Sequence, residues 1–200
     1  MGSNRTSLEI FQSRQAPLLR CGRFSIGTRR ANGLPARAIT LRFATADDVG
    51  LLLQLICELA AYERAPDAVV AREADLRRYG FGPERRFEAL IAFVDGEPAG
   101  FALFYPDFST WHGRPGLFLE DLYVREWARG RGVGRRLMAR LAAIAIERDW
   151  STLHFNVLNW NPARGFYRRL GIETRNEWLP YSATGDVLRR LAAEDADDND

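Results

Sequence analysis

The residues best suited to chemistry are two adjacent carboxylates in the middle of the chain, Glu120 and Asp121. They interrupt an apolar run, 119–124, and a glycine-rich segment, 129–135, follows it closely. Glycine allows backbone N–H groups to approach a phosphate, and the start of a helix adds unpaired donors and a positive dipole. The pattern therefore indicates acid chemistry on a strand beside an anion-binding helix start, which suggests an enzyme.

The segment that follows the glycines has the periodicity of an amphipathic helix. Its apolar residues fall on one face and its arginines largely on the other: Val133, Leu137, Met138, Leu141, Ile144 and Ala145 against Arg135, Arg136 and Arg140. The glycine spacing alone is a weak signal, because it matches neither the Walker pattern nor a dinucleotide fingerprint. On the glycines alone, a flexible strand-to-helix turn remains an alternative.

A later segment narrows the interpretation. Residues 152–158 have the pattern of a strand, 159–162 that of a turn, and 163–170 that of a short helix ended by Gly171. An acidic strand, a Gly-x-Gly-x-Gly helix start and an Asn-Pro-Ala…Phe-Tyr…Leu-Gly segment, in this order, resemble the GNAT superfamily of acetyl-CoA-dependent N-acetyltransferases. The resemblance implies an α/β (α+β) fold, with a mixed, mostly antiparallel sheet flanked by helices.

The closer resemblance is to the spermidine/spermine (diamine) acetyltransferases and their thialysine-acetylating relatives. It is carried by Ala60-Ala61-Tyr62-Glu63, Gly100-Phe101-Ala102-Leu103-Phe104-Tyr105, Phe108-Ser109-Thr110-Trp111, Leu119-Glu120-Asp121 and Trp160-Asn161. It implies direct acetyl transfer from acetyl-CoA to a small primary amine, either a diamine or polyamine or a thialysine-like amino acid. The alternatives are a protein lysine or N-terminal acetyltransferase and a non-catalytic CoA-binding module.

The resemblance also implies which residues bind acetyl-CoA. The backbone of Leu122, Tyr123 and Val124 is expected along the pantetheine arm. The pyrophosphate is expected on Arg129, Gly130, Arg131, Gly132, Val133, Gly134 and Arg135. Asn161 and Ala163 are expected to contact the cofactor further along.

Acetyl transfer requires a deprotonated amine, and an alkyl ammonium has a reference pKa of about 10.4. By resemblance, Glu120 is the base that acts through water and Asp121 helps to bind the cationic substrate. Tyr167 matches the general acid that protonates the thiolate of CoA. Strand neighbours point to opposite faces unless a bulge intervenes, so one alternative is that at least one of the two acids is only a solvated strand carboxylate.

The amine is expected among acids and aromatic rings, whose faces attract cations. Besides Glu120 and Asp121, the residues at matching family positions are Tyr62, Glu63, Trp111, Trp160 and Trp178, and packing explains Trp178 equally well. Ser109 stands where the polyamine enzymes carry an acid, which favours a shorter amine or an amino acid. His154 is expected to be a buried, hydrogen-bonded histidine, and His112 to be solvated.

The elements that must position these residues alternate between strands and helices, without the repeat of a Rossmann fold. Thr45 is expected as the N-cap of the first helix, and Asp95-Gly96-Glu97-Pro98 is a hairpin signal. The predicted bounds are 38–43, 87–94, 99–105 and 117–124 for strands, and 51–62, 71–79 and 186–193 for helices.

Composition excludes several classes of protein. Two hundred residues, 46% of them hydrophobic, are enough for one domain with a core. No apolar stretch approaches the roughly 20 residues of a membrane span. Two cysteines, Cys21 and Cys57, favour a reducing, cytoplasmic compartment, and no metal is expected. The basic residues do not concentrate in the folded part, which argues against a nucleic-acid partner.

The two ends differ from the middle of the chain. Residues 1–37 hold seven arginines against the single acid Glu9, and we expect a disordered extension there. It is either an organellar transit peptide or the translation of a start site too far upstream. Residues 38–193 are the expected acetyltransferase domain and 194–200 an acidic tail. The resemblance further implies a homodimer, with 186–193 as a candidate interface helix.

Overall fold

This computed structural model describes residues 24–25 and 38–197. The strands are β1 (Phe24–Ser25), β2 (Ile39–Phe43), β3 (Glu88–Val94), β4 (Glu97–Ser109), β5 (Arg114–Val124) and β6 (Leu153–His154). The helices are α1 (Val49–Tyr62), α2 (Glu73–Phe81), α3 (Val133–Glu147), α4 (Arg164–Arg169) and α5 (Gly185–Asp197). Apart from β1, the expected N-terminal extension lies outside the described residues.

The chain divides into two compact units, the first ending at Asn156 and the second beginning at Val157. The first contains a six-stranded sheet in the order β1 to β6, in which β5 and β6 are parallel and the other neighbours antiparallel. This mixed, mostly antiparallel sheet flanked by helices confirms the predicted fold class.

Helices cover both faces of the central strands. The face that carries Phe101 and Leu103 packs on the buried side of α1 and on Leu76 of α2. Strand alternation turns Phe104 to the opposite face, where Arg148, directly after α3, lies over its ring. All six apolar residues predicted for the inner face of α3 are buried, as the 3.6-residue period requires.

The predicted bounds differ most from the structure in three places. β4 and β5 are longer than expected, because Pro106–Ser109 continues to pair with Arg114–Leu117 up to the turn at the end of the hairpin. The strand expected over 152–158 is confined to Leu153 and His154, since only these two residues pair with β5. The acidic tail expected from residue 194 continues α5 as far as Asp197.

The second unit contains α4 and α5. Gly171 adopts a positive φ of 79° and ends α4, as predicted, while the N–H of Ile172 donates to the carbonyl of Tyr167 at 3.2 Å. Side chains of α5 are exposed on its apolar as well as its polar positions. Among the described helices, none combines the length and the apolar character that crossing a membrane requires.

Candidate active site

A β-bulge in β5 positions the two predicted carboxylates. Leu119 pairs with Phe104 and Asp121 pairs with Leu103, so Glu120 is an extra residue between two successive pairs. A bulge breaks the strict alternation of side chains along a strand. Because of this bulge, the side chains of Glu120 and Asp121 need not point to opposite faces of the sheet, and both can serve one site.

Asp121 lies in a partly buried and negatively charged environment. Burial first, then the charges of Glu120 and Glu63, raise the pKa of Asp121 to about 6. Burial also raises the pKa of Glu63, directly after α1. Carboxylates that repel one another in a poorly solvated site favour a cationic ligand, because a positive charge relieves both penalties.

Glu120 is exposed and is held by a phenol. The hydroxyl of Tyr105 donates to Oε2 of Glu120 at 3.1 Å. Burial and the charge of Glu120 raise the pKa of Tyr105, so its phenol stays protonated and remains a donor. Sequence reasoning did not assign a role to Tyr105. The alternation of side chains along a strand could have indicated this role. Tyr105 lies two residues after Leu103, the partner of Asp121, and therefore on the same face of the sheet.

The glycine-rich loop has the geometry of an anion-binding helix start. Gly132 has a left-handed backbone, with φ at 88°, and is the N-cap of α3, directly before its first residue. Its carbonyl accepts a hydrogen bond from the N–H of Arg136 at 3.0 Å. Because glycine has no capping side chain, the N–H groups of the next three residues are left for another acceptor. Phosphate oxygens are suitable acceptors there.

Arginines surround this loop. Arg131 and Arg135 are exposed, and the guanidinium of Arg131 lies 5.8 Å from the ring centroid of Trp127. Guanidinium groups bind phosphate through charge-assisted hydrogen bonds. Loop and arginines together fit the pyrophosphate of acetyl-CoA, although the role of each residue stays a prediction.

Arg129 connects the predicted cofactor loop with the predicted amine site. Its guanidinium lies 4.5 Å from the ring centroid of Tyr62 and 5.9 Å from that of Tyr123. Its Nε donates to the carbonyl of Val124 at 2.9 Å. Tyr62 thus makes with Arg129 the kind of cation–π contact that the sequence predicts it to make with a substrate.

One edge of β5 is open beyond its short pairing with β6. The parallel pair joins Leu117 to Leu153 and Phe118 to His154, whereas β5 continues to Val124. In the part of the chain that the structure describes, no strand pairs with 119–124 on the side away from β4. An open strand edge can hydrogen-bond to an extended ligand, and this edge includes the residues predicted along the pantetheine arm.

The second unit holds the predicted general acid and the later cofactor contacts. Tyr167 on α4 is buried, with its ring centroid 5.1 Å from that of Phe166. Asn161 is buried as well, and its Oδ1 accepts from the backbone N–H of Ala163 at 2.9 Å. Both predicted cofactor contacts are therefore engaged in the turn that precedes α4.

The three predicted tryptophans are exposed. Solvent reaches 86% of Trp111, 40% of Trp160 and 58% of Trp178, so core packing does not explain Trp178. Ser109 is committed to the turn after β4, where its hydroxyl accepts from the N–H of His112 at 3.2 Å and lies 3.0 Å from His112 Nδ1.

The prediction of a buried histidine at position 154 is wrong in one respect. The side chain of His154 is 43% exposed, while Nε2 lies 3.0 Å from Oδ2 of Asp107. The imidazole has a partner, as expected. It is half exposed because β6 is short and is the last strand of the described sheet. The described residues contain no group of three or more potential metal ligands.

Several known proteins are similar in sequence to this chain. The model of the Acetyltransferase (GNAT) family matches residues 53–172, which include the acidic strand, the glycine loop and α4. Thialysine N-epsilon-acetyltransferase of Bos taurus is 36% identical over 168 residues, which are 78% of this chain and 98% of that protein.

Two further similarities concern a human relative and a solved structure. Spermidine/spermine N(1)-acetyltransferase-like protein 1 of Homo sapiens is 40% identical over 166 residues, 78% of this chain but 24% of that protein. An integron cassette protein from the mobile metagenome of V. cholerae superposes with a TM-score of 0.65 at 28% identity, covering 77% of this chain and 97% of that one.

Proposed function

Since the chain belongs to the GNAT acetyltransferase family and is an N-acetyltransferase, we propose that it transfers an acetyl group from acetyl-CoA to the primary amine of a small substrate. The observation that supports this most is the acid cluster of Glu63, Glu120 and Asp121, because a poorly solvated group of carboxylates favours an ammonium ligand. Glu120 and Asp121 lie on the bulged strand that precedes the glycine loop, and Glu63 lies directly after α1.

The proposed chemistry divides between groups of the chain. Acetyl-CoA supplies the thioester and its acetyl group. Asp121 and Glu63 bind the substrate as an ammonium ion, and Glu120 accepts its proton through water, which leaves a neutral amine to attack. The C–N bond forms as the C–S bond breaks, and the phenol of Tyr167 gives its proton to the departing sulfur. The second proton of the attacking nitrogen is lost as the amide forms and passes through water to the phenolate, which restores the phenol. Tyr105 holds the carboxylate of Glu120 through its hydrogen bond.

The role of Tyr167 has a direct test. Removing the phenolic proton in Tyr167→Phe should lower kcat by at least roughly tenfold, since general acids contribute about 10²–10⁴-fold. Affinity for acetyl-CoA, measured by calorimetry, should change little. A near-normal kcat would remove the general-acid role and leave Tyr167 as a packing residue.

A panel of substrates distinguishes the proposed function from its alternatives. A panel of diamines, polyamines, amino acids with side-chain amines and a lysine-containing peptide should be assayed with acetyl-CoA by the release of free CoA. We expect acetylation of small amines and little of the peptide, as the name of the bovine relative suggests. Acetylation of the peptide alone would support a protein acetyltransferase, and binding without turnover a CoA-binding module.

We also propose that the protein is a homodimer in a reducing, cytoplasmic compartment. Several large apolar side chains of the second unit are exposed, and exposed apolar surface is typical of interfaces: Trp178, Leu179, Tyr181, Val187, Leu188 and Leu191. The location rests on the small number of cysteines in the sequence. Sedimentation of the protein, with Leu188→Glu as the disrupting variant, tests the dimer.

A further inference from the structure

A contact between a carboxylate and an imidazole crosses β5 on the sheet that carries the acid cluster. Asp107 of β4 pairs in register with Gly116, and His154 of β6 pairs with Phe118. Oδ2 of Asp107 lies 3.0 Å from Nε2 of His154. A Cβ atom on Gly116 would lie 2.5 Å from Oδ1 of Asp107. The pair therefore forms across the strand because residue 116 has no side chain.

This pair is not sealed within the protein. The side chains of Asp107 and His154 are 32% and 43% exposed. The second oxygen of Asp107, Oδ1, is buried beside Gly116 and has no hydrogen-bond partner within the described part of the chain. A ligand would therefore reach this carboxylate through Oδ2, which the single contact with the imidazole leaves with a second acceptor site. The other ring nitrogen, His154 Nδ1, has only a long contact of 3.5 Å to Oγ1 of Thr152.

Two aromatic rings lie between this pair and the acid cluster. The ring of Phe118 meets that of His154 edge-on at 5.2 Å and stacks on Tyr105 at 5.1 Å. The phenol of Tyr105 in turn donates to Glu120. Tyr105 and Asp107 lie two residues apart on one strand and so share a face. A ligand held at Glu120 can therefore extend over these rings to the pair.

The spacing fits a short amine. Asp121 is opposite Leu103, and Asp107 lies four residues further along β4, about 13 Å at about 3.3 Å per residue. Hydrogen bonds of about 3 Å at each end leave roughly 7 Å. About six single bonds in an extended chain cover that length, which is the separation of the two amines in an amino acid with a lysine-like side chain.

We infer that the Asp107–His154 pair binds the end of the substrate remote from the reacting amine and selects an α-amino acid over a simple diamine. The inference rests on the proposed function and specifies its substrate. Asp107 accepts from the α-ammonium group, and a protonated imidazole donates through Nδ1 to the α-carboxylate while Nε2 remains with Asp107. A diamine has no anion for His154.

The test compares two substrates that differ by one carboxyl group, lysine and 1,5-diaminopentane. Asp107→Asn should raise KM roughly tenfold for both, because it removes the carboxylate that holds the far ammonium group. His154→Phe keeps a ring against Phe118 but removes both nitrogens. It should raise KM for lysine by roughly tenfold and leave KM for the diamine unchanged or lower, since Asp107 loses a competing partner.

A control variant separates selectivity from folding. Asp149→Asn removes another exposed carboxylate, paired with Arg114 at 3.2 Å, and should leave both KM values unchanged. If the pair only stabilised the sheet, His154→Phe would lower the melting temperature and leave the ratio of kcat/KM between lysine and the diamine unaltered.

The outcomes distinguish this inference from the proposed function. An unaltered ratio in His154→Phe, with an active wild-type enzyme, overturns the inference alone. Absence of CoA release from the wild-type protein with every amine of the panel overturns the proposed function. In that case calorimetry measures the dissociation constants of lysine and the diamine for the wild-type and His154→Phe proteins. A change in the ratio of these two constants supports the inference, and an unaltered ratio overturns it.

Discussion

Two aspartates in the first unit lie in opposite electrostatic environments. Asp48, at the start of α1, accepts from both terminal nitrogens of Arg42 at 2.6 and 2.7 Å and from the N–H and hydroxyl of Thr45. The hydrogen bond from Arg42 is the main cause that lowers the pKa of Asp48 to about 2. Asp121 instead has a pKa raised to about 6 by burial and by two neighbouring carboxylates.

The two groups therefore have opposite linkage to folding. The pKa of Asp48 is lower in the folded protein than its ordinary 3.8, so its stabilisation is present above pH 4 and is lost as the pH falls towards 2. The pKa of Asp121 is higher in the folded protein, so its ionised form destabilises the fold above about pH 6. One carboxylate supports the structure, whereas the other is held at a cost in stability that the proposed cationic substrate would offset.

The largest expected effect is on catalysis in the acid cluster. Glu120→Gln keeps the shape of the side chain but removes the proposed base, and kcat should fall by at least roughly tenfold. CoA release measures kcat, and the melting temperature should not fall. Glu97→Gln, at an exposed acid that begins β4, is the matched control and should behave like the wild type. A loss of stability without a loss of kcat would place Glu120 with Asp48, as a structural group.

The second prediction concerns Asp48. Asp48→Asn should lower the free energy of unfolding at pH 7 by about 2 kcal/mol, because the difference between pKa values of 3.8 and about 2 corresponds to that amount. Urea denaturation measures the change, and the gap to the wild type should close as the pH approaches 2. The KM for the amine should not change. A gap that persists at pH 2 would mean that the charge of Asp48 is not its source.

The third prediction is that removing the charge of Asp121 changes the free energy of unfolding in the opposite direction. Asp121→Asn should raise the free energy of unfolding at pH 8 by roughly 1–3 kcal/mol, and the gain should fade as the pH falls below 6. It should also raise the amine KM, because a charged ligand for the ammonium group is lost. In the wild type, KM should fall as the pH rises through about 6. A less stable variant would contradict the contrast drawn with Asp48.

The smallest effect is expected in the glycine loop. A side chain on Gly132 would obstruct the approach of a phosphate but also costs about 1–2 kcal/mol at a positive φ. Gly96 has the same φ of 88°, and a Cβ atom on it would meet nothing within 4 Å, so Gly96→Ala reproduces the backbone strain alone. Calorimetry should show weaker acetyl-CoA binding in Gly132→Ala only. Equal affinity in the two variants would remove Gly132 from the cofactor site.

Local sequence pattern determined the elements and the position of the glycine turn. Apolar spacing identified the buried face of α3, and Gly171 marked the end of α4, because helix period and left-handed glycine are properties of a few consecutive residues. The resemblance to GNAT enzymes rested on the same local segments, and the family match confirms it. The strand at 152–158 was overestimated, since a strand is defined by its partner and β5 pairs with only two of these residues.

Tertiary structure decided how these pieces act on one another. Register between β4 and β5 produced the bulge at Glu120. Burial of Asp121, followed by the charges of Glu120 and Glu63, raised its pKa. Contact between Asp107 and His154 joins residues that are distant in sequence across a third strand. Each of these features depends on which segments lie side by side, and the pairing of distant strands is not contained in the period of either one.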